Sequence, residues 1–482
     1  MLSDLLQNDA GLPASGDLPI SGVTSDSRLV RQGFLFAALS GTKVDGADFI
    51  AQAMANGASA VICQTGTKPP GFHAIETENP HRLLAYVAAR FYDRQPRHIV
   101  AVTGTNGKTS VAVFVRQIWA SMGYRAASLG TIGLVGPEGT EILEHTTPGP
   151  VQMQELVAKL SDQDIQYLAL EASSHGLSQF RLDGLHLIAG AFTNITHDHL
   201  DYHETFAAYF TAKMRLFDEL LLPGGAAVIN MDSPHGALVL KHATDRELLP
   251  FTVGRAGQNL QLKSVIRNGM GQILKIATPT DAYEVHLPLV GEFQASNALV
   301  AAGLVIVSGG NESSAINVLQ ALQGASGRLD LVGTSPSGAS IFVDYAHTPD
   351  ALENALAALR PYVENKLLVV FGCGGDRDKS KRPLMGHIAQ QLADRVFVTD
   401  DNPRWEDAAV IRAEIMVGTT SALEIGDRAL AISTAIHELG KGDILLVAGK
   451  GHEVGQKIGA TALPFSDHQA VFSALRGETY LG

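Results

Sequence analysis

Lys108 and Thr109 close the stretch "GTNGKTS", residues 104–110, directly after the apolar run "HIVAVT". In such a turn the backbone N–H groups of Gly104, Thr105, Asn106, Gly107 and Lys108 form a nest for an anion. A helix starting at Lys108 and running through Thr109 and Ser110 adds the positive end of its dipole. Lys108 then meets the β/γ-phosphates of a nucleotide, and the Thr109 hydroxyl holds its magnesium. The usual phosphate-loop pattern has a glycine where this chain has Val102, so a strict match to that pattern fails here. A ligand-free glycine turn is the plain alternative. Strand, loop and helix nonetheless come in the order that nucleotide binding requires.

Further along, the run "YLALE" delivers Glu171 to the end of a strand. A lone glutamate there suits a salt bridge as well as a metal, and the upstream phosphate loop tips it towards the metal. "NITHDHLDYHET" packs His197, Asp198, His199, Asp201 and His203 together. That density fits a metal or proton-transfer site, with a polar, helix-capping loop as the alternative. By ligand softness alone it favours zinc or manganese over magnesium, and the residues leave the choice open. "VTDDNPRWE" ends a strand before a helix, where ligands gather, yet Asn-Pro is also simple turn punctuation. "GKGHE" reads as a strand-end glycine turn, and Arg377 as part of an "RDKSKR" charge run on a solvated face.

The elements that must carry these groups are legible from periodicity. Val111, Phe114, Val115, Ile118 and Met122 fall on one helical face behind the phosphate loop, and Leu352, Ala355, Leu356 and Leu359 on another. Thr348 is the expected N-cap of that second helix, with Pro349 in its first position. "SIFVDYA", "KLLVVFG", "RVFVTD" and "DILLVAG" are further buried strands. Strands alternating with helices predict an α/β protein with parallel sheets and ligands at the strands' carboxyl ends. Boundaries near "YDRQPRH" and "GASGRLDLVGTSPSGAS" give three domains: a smaller α/β domain over 1–97, a central parallel sheet of the P-loop type over 98–327, and a Rossmann-like domain over 328–482.

A formal charge of -13 argues against broad binding to nucleic acid or anionic membranes, so any anionic ligand needs local positive groups. Two cysteines, Cys63 and Cys373, are too few for a disulfide framework and suit a reducing compartment. The first residues carry acids where a secretory signal has bases, and no apolar run is long enough to span a bilayer. A soluble cytoplasmic protein is the expectation.

Taken together, "SDSR", "GFLFAALSGTKVDGADFI", "TGTNGKTS", "TTPGP", "EASSHGLSQFR", "NITHDHLDYH", "FTAKMRLF", "FVDYAHTPDAL", "GCGGDRDKSKRP", "DNPR" and "GKGHE" make the chain resemble the Mur ligase family. Within it the likeness is greatest to the enzymes that add the third amino acid to the UDP-N-acetylmuramoyl peptide of the cell-wall precursor. The resemblance implies ATP as co-substrate and magnesium as cofactor. It implies that the carboxylate of UDP-N-acetylmuramoyl-L-alanyl-D-glutamate takes the γ-phosphoryl group, and that the acyl phosphate is then attacked by an amine. Thr109, Glu171 and His199 become magnesium groups, and Lys213 the lysine that this family carbamylates. A bare Lys213 ammonium would repel the metal, whereas a carbamate offers two oxygens suited to a hard cation. "AKMR" alone reads as an exposed helix lysine in a salt bridge.

By the same resemblance Ser25, Ser27, Thr42, Lys43 and Val44 hold the UDP end. His145, Thr146, Thr147, Ser173, Gln179 and Arg181 meet the muramoyl peptide, His145 standing where the family pattern has asparagine. Asn194, Arg328, Asp344 and His347 close on ATP; for Arg328 a plain surface ion pair is the alternative. "DNPR" resembles the signature of the enzymes that add meso-2,6-diaminopimelate, with Asp401, Asn402, Pro403, Arg404 and Gly449 forming the site. Arg404 suits the extra carboxylate that distinguishes diaminopimelate from lysine. Arg377 is implied to bind a carboxylate and Glu453 an ammonium. The implied enzyme is a monomer that closes on small-molecule substrates. L-lysine ligation, a folylpolyglutamate-type ligase, a nucleotide-hydrolysing switch and an inactive UDP-ligand binder are the alternatives.

Overall fold

The computed structural model describes residues 1–7, 9, 17–41, 44–196 and 200–480. Contacts divide the chain into a first unit, Met1–Lys263 with Lys275–Tyr283 and Ser296–Leu319, and a second, Ser264–Leu274 with Glu284–Ala295 and Gln320–Gly482.

The first unit opens with a small parallel sheet of Gly22–Thr24, Phe34–Ala37, Ala58–Gln64 and Ala74–Thr77, side by side in chain order. Helix Pro80–Tyr92 packs Leu83, Leu84 and Val87 on Leu35, Ile62 and Ile75. It starts where the Asn79 side chain accepts from Arg82 N and Pro80 takes the first turn; it stops at Asp93, φ 49°.

The larger sheet of this unit runs Leu249–Gly254, Ala226–Asn230, Leu187–Phe192, His98–Thr103, Tyr167–Glu171 and Ala126–Gly130, all parallel. The antiparallel strands Gly133–Gly136 and Gly139–Glu141 follow on that side. The phosphate-loop strand is central, with Val102 opposite Ala191 on one side and Glu171 on the other. Its Ile99, Val100, Ala101 and Val102 are all buried, as a strand covered on both faces demands. Helix Lys108–Ser121 buries the expected Val111, Phe114, Val115 and Ile118, and also Ala112, Val113 and Trp119. A helix apolar nearly all round is an interior one, so its burial exceeds the single face that periodicity reports.

In the second unit the order is Asp330–Thr334, Ser340–Asp344, Ile444–Ala448, Leu367–Phe371, Arg395–Val398 and Leu423–Glu424, with only the first pair antiparallel. One face packs on Leu352, Leu356, Leu359, Met385 and Ile415, the other on Ala431, Ile432, Ala435 and Val471. Helix Pro349–Leu359 begins as its sequence predicts, the Thr348 side chain accepting from Ala351 N. "GCGG", "DNPR" and "GKGHE" all follow the carboxyl ends of parallel strands. The α/β class with parallel sheets is thus observed. Among the described residues no helix is long and apolar enough to cross a membrane.

Candidate functional site

The phosphate loop is bent by two glycines that no other residue could replace without strain. Gly107, φ 87°, caps helix Lys108–Ser121, and a Cβ there would strike the Asn297 carboxamide. Gly104, φ 152°, lies so close to Thr193 Oγ1 that a Cβ would collide with it. Asn194 clamps the loop reciprocally: Asn106 N donates to its Oδ1 at 3.0 Å, and its Nδ2 donates to Asn106 O at 3.3 Å. Thr105 N donates to Asn194 O at 2.9 Å and Thr193 Oγ1 to Asn106 O at 2.6 Å. Asn194, expected as an ATP contact, thus shapes the loop itself.

Two lysines meet here. Lys108 Nζ donates to Gly104 O and Thr105 O, both at 2.8 Å. Lys213, from helix Phe206–Arg215, is buried, lies 4.4 Å from the Tyr209 ring centroid and donates to the same Gly104 O at 2.7 Å. The exposed surface lysine that "AKMR" suggests by itself is not what the fold makes of it.

Glu171, buried at its strand end, accepts from Thr131 N at 2.7 Å and from Thr131 Oγ1 at 3.2 Å. It lines one small cavity together with Thr109, two of the groups expected to serve magnesium. Around it the expected peptide contacts form one network. Thr131 Oγ1 and Thr146 Oγ1 share a bond of 3.1 Å; Thr147 Oγ1 donates to Glu171 O at 2.9 Å and bonds Ser173 Oγ at 2.9 Å. Arg181 Nη1 donates to Thr147 O at 2.7 Å, its Nη2 to Gln179 Oε1 at 2.7 Å, and Gln179 Nε2 to Tyr202 OH at 3.0 Å. Periodicity and motif reading missed Thr131 and Tyr202, which sit far from their partners in sequence. His145 and Val44 are exposed, as is Ser25, while Ser27 is buried and donates to Gln52 Oε1 at 2.8 Å. Thr42, Lys43, His197, Asp198 and His199 lie outside the described residues. Among the described residues no three His, Cys, Asp or Glu side chains converge as a metal cage.

The second unit gathers the other expected groups at its strand ends. Asp344 accepts from Leu329 N at 2.6 Å and Ala346 N at 2.7 Å. Desolvation raises its carboxyl above the ordinary range, outweighing Arg328 and those two N–H groups. The Arg328 guanidinium lies 5.0 Å from the Tyr345 ring centroid, within cation–π reach. His347 bonds Tyr345 O through Nδ1 at 2.9 Å, and its own carbonyl accepts from Lys381 Nζ at 2.8 Å. Its outer edge is exposed, but desolvation of the ring lowers the imidazole below the ordinary histidine range.

Arg404 adopts φ 52°, held because its N donates to Lys457 O at 2.9 Å and Gly459 N donates to its O at 2.6 Å. Its Nη1 donates to Gly375 O at 2.8 Å; its Nε and Nη2 make no hydrogen bond among the described residues. Gly375 packs so tightly on Pro403 O that a Cβ would collide. Asn402 Nδ2 donates to Glu453 Oε2 at 2.8 Å, and a Cβ on Gly449, φ 113°, would sit 2.6 Å from Asp401 Oδ2. Arg377 is exposed and donates to Asp376 O at 3.1 Å. Lys450 and Arg382 are among the buried cations that escaped the sequence reading. Lys450 bonds Asn402 and Glu453; Arg382 bonds Glu406, Glu414 and Gly374 O. Lys450 stood inside a quoted motif, and Arg382 had no local signal at all.

A shortened loop with a helix dipole behind it, at the carboxyl ends of a parallel sheet, defines the P-loop class of nucleotide-dependent α/β enzymes. The whole chain decides which member of that class. Residues 19–94 match the Mur ligase family, catalytic domain; 102–305 the Mur ligase middle domain; and 327–451 the Mur ligase, glutamate ligase domain. The chain belongs to the Mur ligase family of ATP-dependent amide ligases. It is 52% identical to the UDP-N-acetylmuramoyl-L-alanyl-D-glutamate–2,6-diaminopimelate ligase of Bradyrhizobium diazoefficiens, over 98% of this chain and 99% of that one. A solved structure bearing the same enzyme name is 33% identical, covers 95% of each chain and superposes with a TM-score of 0.72. A MurF ligase from Thermotoga maritima in complex with ADP, at 18% identity and a TM-score of 0.62 over 96% of this chain and 99% of that one, shares the fold.

Proposed function

We propose that this chain uses ATP to join meso-2,6-diaminopimelate to UDP-N-acetylmuramoyl-L-alanyl-D-glutamate, the reaction for which its relatives are named. The geometry that carries the reading lies in the second unit. The guanidinium of Arg404 and the carboxylate of Glu453 stand on one hydrogen-bonded frame through Asn402, a complement to a zwitterion with an additional carboxylate. Asp401, Pro403 and Gly449 shape that frame, and Arg377 turns in from the surface to a substrate carboxylate.

The dipeptide's terminal carboxylate attacks the γ-phosphorus, ADP leaves, and a mixed anhydride forms. The amine of diaminopimelate attacks its carbonyl, orthophosphate departs and an amide remains. The physical difficulty is bringing an anion onto a polyanion, so Lys108 and the loop N–H groups must cancel charge while the acyl phosphate is kept from water. Thr109, Glu171, His199 and Lys213 as its carbamate would hold magnesium; Thr109 and Glu171 sharing one cavity wall supports this. When bound, the dication screens the phosphate oxygens from the incoming carboxylate. Asn194 orders the loop N–H groups, and Arg328, Asp344 and His347 serve ATP. Thr146, Thr147, Ser173, Gln179 and Arg181 orient the peptide with His145 at the rim. Ser25, Ser27, Thr42, Lys43 and Val44 hold the UDP end.

The domain limits are 97/98 and 327/328, and the separate apolar cores of residues 2–87 and 99–248 support the first of them. The working form is a monomer in the cytoplasm. The test offers purified protein ATP, magnesium, the muramoyl dipeptide labelled with 18O in its terminal carboxylate, and either diaminopimelate or lysine. The expected result is diaminopimelate-dependent ADP release with label in the orthophosphate. Unlabelled phosphate would overturn the acyl phosphate, and equal turnover of lysine would overturn the choice of amino acid.

A further inference from the structure

Lys450 has no exposed surface, yet its ammonium stands between two residues assigned above to the amino acid. Its Nζ donates to Asn402 Oδ1 at 3.1 Å and to Glu453 Oε2 at 3.0 Å. Asn402 Nδ2 donates to that same glutamate oxygen at 2.8 Å, and Lys457 N donates to Asn402 Oδ1 at 2.9 Å. The asparagine amide is therefore locked in one orientation, because a flip would face its NH₂ with an ammonium and a backbone N–H. The two donors hold Glu453 by Oε2, which leaves Oε1 to point elsewhere on a side chain that is 32% exposed.

Stability alone gives no reason for an ammonium at this place. A buried ion pair contributes little that a well-packed apolar side chain could not, because desolvation offsets its Coulomb attraction. What the charge does supply is direction: it fixes which carboxylate oxygen faces outward and offsets part of the negative charge there. We propose that Lys450 is a positioning residue for the amino-acid substrate. It holds Asn402 and Glu453 so that one glutamate oxygen presents a fixed acceptor to the substrate ammonium, and it keeps the locality from favouring a net-positive amino acid. This rests on the reading of the second unit as the amino-acid site.

The test measures steady-state kinetics and thermal melting of full-length Lys450→Met and Lys450→Gln beside the wild type, with ATP, dipeptide and either diaminopimelate or lysine. For Lys450→Met we expect the KM for diaminopimelate to rise about tenfold or more while the KM for ATP stays within about twofold, since only one group of hydrogen bonds is lost. The preference for diaminopimelate over lysine should shrink, and Lys450→Gln, which keeps a donor, should fall between. On a Glu453→Gln background the further loss from Lys450→Met should be clearly smaller than on the wild type, as expected of residues acting through one another. Equal changes in every KM, an unchanged preference, or fully multiplicative effects would overturn the proposal. So would failure of both variants to melt cooperatively, which would make Lys450 a stability residue. A wild type that turns over neither amino acid overturns the functional reading and this role together, whereas an active wild type with an indifferent Lys450→Met overturns this role alone.

Discussion

Replacing Arg404 with methionine should separate the two candidate amino acids. Arg404 commits Nη1 to Gly375 O at 2.8 Å and leaves Nε and Nη2, one edge of the guanidinium fork, without a protein partner among the described residues. Two charge-assisted hydrogen bonds from that edge to the far carboxylate of diaminopimelate amount to roughly 3–6 kcal/mol before ordering costs. A net loss of about 2–5 kcal/mol on truncation is the usual range for a buried charged pair. That lowers kcat/KM for diaminopimelate on the order of 30- to 5000-fold. Lysine carries an ammonium at the corresponding end, so its kcat/KM should hold or rise. The orphaned Gly375 carbonyl costs about 1–3 kcal/mol of stability, which appears in melting curves and is common to both substrates. Arg404→Lys keeps the charge without the fork and should recover only part of the loss. The assay is ADP release at saturating ATP and dipeptide with the amino acid varied. A kcat/KM that falls by one factor for both amino acids, or does not fall for diaminopimelate, refutes the assignment.

Three further outcomes are expected. Gly104→Ala drives a Cβ into Thr193 Oγ1, and strain of about 1–3 kcal/mol there should weaken ADP binding in calorimetry by about 5- to 160-fold; an unchanged Kd contradicts the loop geometry. Lys213→Ala should nearly abolish ligation and recover in part with added short carboxylic acids, and a fully active variant would end the carbamate assignment. Arg382 and the Asp376 N–H hold the Glu406 carboxyl at about 2, from an ordinary 4.5. A folded-state value below the unfolded one stabilises above 4.5, and that stabilisation is lost as pH falls towards 2. The wild-type melting temperature should therefore fall more steeply than that of Glu406→Gln across this interval, and parallel curves would dismiss the pair.

What was legible beforehand follows from how local the cause is. The phosphate loop announces itself because positive φ at Gly104 and Gly107 is a demand on single residues. Helix Pro349–Leu359 announces its start because cap and proline are adjacent. Thr131, by contrast, holds Glu171 from 40 residues upstream, and Lys450 reaches Asn402 across 48. Nothing in composition or period couples such positions; only the strand order of a parallel sheet brings their loops to one end. Ser27, implied as a ligand contact, donates to Gln52 across 25 residues, a pairing that no motif announces.

Two lysines donate to Gly104 O in a chain of net charge -13. Two ammonium groups sharing one carbonyl repel by on the order of 3 kcal/mol, taking about 5 Å and an effective dielectric of about 20. Left as they are, they would grip ADP and orthophosphate after the reaction as firmly as ATP before it, since uniform binding does nothing for turnover. A carbamate on Lys213 would reverse one of those charges and supply oxygens suited to a divalent cation. Lys108 would then be the one fixed ammonium at Gly104 O. On that logic Lys213→Arg, whose guanidinium does not form the carbamate, should still bind ADP in calorimetry while showing no ligation in the ADP-release assay, and a variant with wild-type turnover would refute the reversal of charge.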